Sequence, residues 1–169
     1  MNYQLNNRIW AIILSIMLWG VVCITASLGL APKALALDYN KESLIGANFS
    51  GRDLTDASFT KANLRNSNFS HANLRGVSFF AANLESANFE GADLTNATLD
   101  SARFIRANLT NAVLEGAFAA NAKFDRATID GADFTDVLLR QDLQKELCKL
   151  AQGINPTTGR ATRDTLFCP

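Results

Sequence analysis

The sequence has little of what most catalytic sites are built from. Its 169 residues hold one histidine, three cysteines, three prolines and two tryptophans. A single imidazole, His71, and scattered thiols cannot assemble the ligand sets that zinc and other transition metals require. A P-loop, a GxGxxG turn and an HExxH helix are all missing, so phosphate, dinucleotide and zinc-hydrolase chemistry lose their usual carriers. The formal charge is zero, which removes the electrostatic footprint of a nucleic-acid binder. No catalytic residue, cofactor or metal site is therefore assigned, no nucleic acid is expected as a partner, and the chain is not expected to be an enzyme. Proline is missing altogether from residues 33–155, so no backbone N–H is lost over that stretch.

What is present begins with a leader. Met1 to Arg8 is polar with one basic side chain, and Ile9 to Leu30 is an uncharged run of 22 residues. "APKALALD" follows, with Ala34-Leu35-Ala36 as a small-x-small cleavage site. This order is that of a signal peptide over residues 1–36. The run is also long enough to remain as an uncleaved anchor, which needs about 20 residues. Contact with a membrane is expected only through this leader. Cleavage would also remove Cys23, leaving an even number of cysteines.

After a short lead-in, 37–41, a five-residue beat occupies residues 42–141. Its centres run from Leu44 to Leu139, twenty in all, of which eighteen are Leu or Phe. Ala stands two residues before the centre fifteen times, and Asn, Asp, Ser or Thr directly before it fifteen times. Five fits neither the strand period of two nor the helical period of 3.6. Residues two apart on extended chain point the same way, so the Ala and the centre face inward and the polar residue faces out. Phe69 is thus expected in the core and Asn68 on the surface. The chain must then turn, and all six glycines of the region share the second position after the centre. Asn66, Asn96, Asn111, Asn121, Asp56 and Asp136 occupy the same position, where positive φ is tolerated.

"SHANLRGVSF", "ANLESANFEG" and "ADLTNATLDS" resemble the pentapeptide-repeat family, over about 100 of the 169 residues. The resemblance implies an all-β solenoid, a right-handed quadrilateral β-helix of about five coils with four pentapeptides per coil. At about 4.8 Å per layer such a stack is roughly 24 Å tall. A leader, some twenty pentapeptides and a two-cysteine tail are together similar to the exported pentapeptide-repeat proteins of the cyanobacterial thylakoid lumen. That likeness implies location in the thylakoid lumen or periplasm, and no assigned biochemical role.

Residues 142–169 are expected to cover the open end of the stack as an α-helical cap. From Asp136 as N-cap, "VLLRQDLQKELCKLAQG" carries Leu139, Leu143, Leu147 and Leu150 at helical spacing, with Gly153 as the stop. A second short helix is expected near Thr162 to Phe167. The leucine stripe suits a packed cap better than a helix held out for a partner. In an exported chain Cys148 and Cys168 are expected to form a disulfide, since neither CxxC spacing nor further metal ligands accompany them.

With four pentapeptides per coil, the walls differ. One carries Arg65, Arg103, Arg106, Lys123 and Arg126 against Glu85 and Asp125, a basic wall. The opposite wall carries Asp53, Asp56, Asp93, Glu115, Asp133 and Asp136 against Arg75. This polarity can orient a charged partner, and it is equally the scatter of a solvated surface. A further wall places Phe80 and Phe118 at outward positions, a candidate protein-contact patch. Phe118 has an alternative, swinging inward beside the undersized centre Ala119. The expected function is a non-catalytic exported scaffold or protein-interaction module with a protein partner. The alternative is a DNA mimic that inhibits a DNA-binding enzyme such as a type II topoisomerase, for which the repeat is too weakly acidic.

Overall fold

A computed structural model describes residues 37–169. The leader, its cleavage site and Cys23 lie outside the described residues. Parallel bridges join residues twenty apart, from Asp38–Ser58 to Phe118–Leu138. Each pentapeptide contributes one bridge, so four of them close one turn of a four-sided coil and the fifth stacks on the first. Both backbone groups are used: Phe49 donates its N–H to Asn68 O at 2.7 Å, and Asn68 donates to Ala47 O at 2.9 Å. The strands are one bridge long, because every fifth residue is spent on a corner.

At each corner the N–H three residues after the centre returns to the centre's carbonyl, as Ala72 does to Phe69 at 3.1 Å. The third residue of that turn has positive φ, +57° at Asn66 and +67° at Gly76, the geometry that favours Asn and Gly. Asn121 is the exception to this series. Its backbone N–H and its side-chain amide both donate to Asp100 Oδ1, each at 2.9 Å. The polar residue before the centre does more than face water. Asn68 Oδ1 accepts the Ser70 N–H at 3.0 Å, and Asn108 Oδ1 accepts that of Thr110 at 3.0 Å. These side chains occupy N–H groups that the coil leaves free at its corners.

The expected lead-in is corrected: residues 37–41 form a further pentapeptide. Asp38 bridges Ser58, Lys41 has a φ of +61°, and Tyr39 stacks on Phe59 at 4.8 Å. Leu37 in the usual Ala position and tyrosine at the centre disguise it. Inside, every centre from Leu54 to Phe134 is buried. Phe49, Phe69 and Phe89 stack at 4.9 and 5.0 Å, and Phe69 meets Phe59 and Phe79 edge-on at 5.6 and 5.4 Å. Truncating such a ring to alanine costs about 3–5 kcal/mol.

Two helices follow, α1 (Gln141–Leu150) and α2 (Thr162–Thr165). Asp136 does not cap the first, contrary to the sequence reading. It is a corner residue at φ +54°, held in the coil because Leu138 still donates to Ala117 O at 3.0 Å. Leu139 accordingly belongs to the coil, and α1 begins only after Arg140. Leu147, Ala151 and Leu166 are buried in the same apolar cluster as the coils. Cys148 and Cys168 are joined, with an S–S distance of 2.05 Å and Cα atoms 5.5 Å apart.

Candidate functional site

The inward side chains are consumed by the core, so any recognition falls to the outer walls and the C-terminal segment. Among the described residues no group of three His, Cys, Asp or Glu side chains gathers to hold a metal. His71 sits exposed at a corner with a φ of +56°.

On the aromatic wall Phe80 is 39% exposed and Phe118 43%. Phe118 bridges Thr98 below and Leu138 above, which fixes its side chain outward despite the small neighbour Ala119. Leu138, at the same position one coil on, is 54% exposed. The apolar run Val137-Leu138-Leu139 ahead of α1 hides it in the sequence. Departure from the polar rule directly before a centre was the available signal.

The basic wall is only partly neutralised. Glu85 lies 3.9 Å from Arg65 and is hydrogen-bonded by Arg106. Arg103 and Lys123 are bridge partners, one directly above the other. The acidic wall is more compensated than its sequence suggests. Arg75 pairs with Asp93 at 3.2 Å, and Arg160 reaches in from the C-terminal segment to Glu115 at 2.8 Å and Asp133 at 3.3 Å. Arg52 lies over the Phe49 ring at 5.7 Å near the base.

Three aspartates on that wall share one device. Thr55 and Thr135 donate their hydroxyls to Asp53 and Asp133, each at 2.6 Å, and Thr95 does the same for Asp93. Asp53 is held below the usual carboxylate range by the Thr55 hydroxyl and backbone N–H. At Asp93 and Asp133 burial works against ionisation, yet the threonine hydrogen bonds, with Arg75 and Arg160, outweigh it and the shift is downward.

Asn155, directly ahead of Pro156, does more than start a turn. Asn155 is fully buried. Its Nδ2 donates to the carbonyls of Asn111 at 3.1 Å, Ala112 at 3.2 Å and Gly131 at 2.8 Å. Its Oδ1 accepts the N–H groups of Thr157 and Thr158 at 2.9 and 3.0 Å. One side chain therefore ties the C-terminal segment to two successive coils.

Comparison with known proteins places these features in company. The model of the "Pentapeptide repeat region" matches residues 37–102, and that of "Pentapeptide repeats (8 copies)" matches residues 102–141. A crystal structure of a pentapeptide repeat protein from the Arabidopsis thaliana thylakoid lumen shares 48% identity, with a TM-score of 0.76 over 77% of this chain and 90% of that one. HetL from Nostoc sp. strain PCC 7120, a pentapeptide repeat protein involved in heterocyst differentiation regulation, shares 27% identity at a TM-score of 0.52, over 58% of this chain and 55% of its own. A curated relative, the "Thylakoid lumenal 15 kDa protein 1, chloroplastic" of Arabidopsis thaliana, is 67% identical over 36 residues. That match spans 21% of this chain and only 16% of the relative's length.

Proposed function

The chain belongs to the pentapeptide-repeat family, and from that premise we propose that it is a non-catalytic, exported protein-interaction module. Its right-handed quadrilateral β-helix is the family's fold, and the lumenal character of its relatives agrees with the location expected from the leader. In this reading the stack of about five coils is a rigid post, the C-terminal helices are its cap, and the partner meets an outer wall. The observation that carries it is the wall of Phe80, Phe118 and Leu138. Three large apolar side chains, each more than a third exposed, project from positions the repeat mostly fills with polar residues. Exposed apolar groups gathered on one wall mark a contact surface.

DNA mimicry has less support. Asp93, Glu115 and Asp133 are already paired with Arg75 and Arg160, which reduces the continuous negative field a mimic needs. The test of the module is affinity capture from lumenal or periplasmic extract, comparing the natural chain with a Phe80→Ser/Phe118→Ser variant. The natural chain retains a partner that the variant loses while its thermal melt is unchanged. Equal capture by both overturns the aromatic wall as the contact surface.

A further inference from the structure

The coil that ends the stack is left open on one side. Within the stack, Phe104 and Arg106 donate N–H groups to Lys123 O at 2.8 Å and Asp125 O at 2.9 Å, and Ala102 O accepts from Lys123 at 2.9 Å. One coil further on, the equivalent groups are the N–H of Phe124, the N–H of Arg126 and the carbonyl of Ala122. Among the described residues none of these three has a hydrogen-bond partner. Neighbouring edges of the same coil are partly covered: Gly131 donates to Gln152 O at 2.8 Å, and Phe134 to Thr165 Oγ1 at 3.1 Å, while the Ile129 and Asp136 N–H groups also lack partners among the described residues. Over Phe124 the C-terminal segment instead stands away, leaving a groove of about 790 Å³ between this edge and α1. Its apolar side is formed by Phe124, Leu143, Leu147 and Leu150. Leu150 is 47% exposed there.

Charge singles out the occupant. Arg103 and Lys123 are direct bridge partners, and like charges so placed destabilise a sheet. Arg126 stands at the next corner. None of these three cations has a carboxylate within 4 Å among the described residues, whereas Arg65 and Arg106 share Glu85. On the helix side Asp142 and Glu146 are already engaged by Arg140 and Lys149. That leaves Asp125 as the one carboxylate beside three unpaired cations. We propose that this groove docks an extended, acidic peptide segment of a partner protein, which adds one short strand to the open edge. Its carbonyls accept from Phe124 and Arg126 and its N–H donates to Ala122. Its carboxylates meet Lys123, Arg126 and Arg103, and an alternate apolar side chain rests on Phe124 and the leucines. Main-chain bonding supplies affinity in such strand addition, and the alternate side chains supply choice.

This inference rests on the reading of the chain as an interaction module and narrows its partner. The test uses the purified chain with its disulfide intact and a fluorescein-labelled octapeptide of alternating Val and Asp, read by anisotropy. Binding is expected, weakening with added salt and at least tenfold in a Lys123→Glu/Arg126→Glu variant whose melt is not lowered. The same peptide N-methylated at the residues whose N–H groups face the edge, which keeps its charges but loses those donors, is expected to lose at least tenfold as well. Equal binding of the N-methylated peptide, or of a Val-Lys octapeptide, overturns the proposal. A DNA duplex that binds more tightly through Lys123 and Arg126 also overturns it. Failure of the groove is separable from failure of the module. Peptide binding that survives Phe80→Ser while partner capture does not depend on that residue removes only the aromatic wall. Phe80-dependent capture without peptide binding removes only the groove.

Discussion

At the scale of the residue, position within the pentapeptide decides almost everything, and one residue outside the repeat decides the rest. Asn155 uses both ends of its amide, donating to three carbonyls and accepting two N–H groups. Truncation removes these partners; Ala112 O keeps the Asp133 N–H, and each remaining group that water cannot reach costs about 1–3 kcal/mol. Asn155→Ala is therefore expected to lower the denaturation midpoint clearly. Asn155→Asp is expected to cost more at neutral pH, because a carboxylate then faces three carbonyl oxygens, and to recover partly as the acid is protonated. Chemical denaturation at two pH values checks both the order and the recovery. Nothing in the sequence around "GINPTTG" distinguishes this asparagine from any other turn former, because its partners Asn111 and Ala112 lie over forty residues away. The repeat, by contrast, is legible because each inward position meets its like twenty residues on. Phe80 and Phe118 were legible for the same reason, as breaks in a rule.

At the scale of the element, the coils and the C-terminal segment are held by different means. A coil is bound to its neighbours by a backbone ladder and by stacked centres. The segment after Leu139 has two short helices, one antiparallel bridge between Ile154 and Ala161, the Asn155 anchor and the Cys148–Cys168 bond. Its boundary is ambiguous in the sequence at Asp136, because a corner residue and a helix N-cap favour the same side chains. Helical leucine spacing cannot say which leucine still belongs to the coil. The open edge over Phe124 was not legible at all, since it depends on where α1 stands rather than on any local pattern. The disulfide closes a loop of twenty residues, worth about 3 kcal/mol in the chain-entropy model. Reduction is accordingly expected to loosen 141–169 while leaving the lower coils intact. Hydrogen exchange reads this directly: amides of Leu166 and Gly131 should lose protection on reduction, while those of Phe69 and Leu74 keep theirs. Uniform loss across all coils would show instead that the segment and the stack unfold as one unit.

At the scale of the whole molecule, a stack of near-identical layers responds to its surroundings as the sum of its walls. The acidic wall repeats an Asp-x-Thr device at Asp53, Asp93 and Asp133, and all three carboxyls are shifted downward. A carboxyl whose folded pKa lies below its unfolded value, near 3.9, stabilises the fold fully above that value. The contribution is lost as the pH falls through the folded pKa. The melting temperature is therefore expected to hold from neutral pH down to about pH 5 and to fall progressively below about pH 4. Replacing the three aspartates by asparagine tests the cause. Asparagine keeps the oxygen that accepts the corner N–H, as Asn68 and Asn108 do at equivalent positions, but it does not titrate. The triple Asp53→Asn/Asp93→Asn/Asp133→Asn variant should thus give up some stability at pH 7, mainly where Asp133 loses its pairing with Arg160. It should also show a flatter decline between pH 4 and pH 2 in scanning calorimetry. An unchanged slope would place the acid sensitivity elsewhere on the molecule and leave these three as simple corner acceptors.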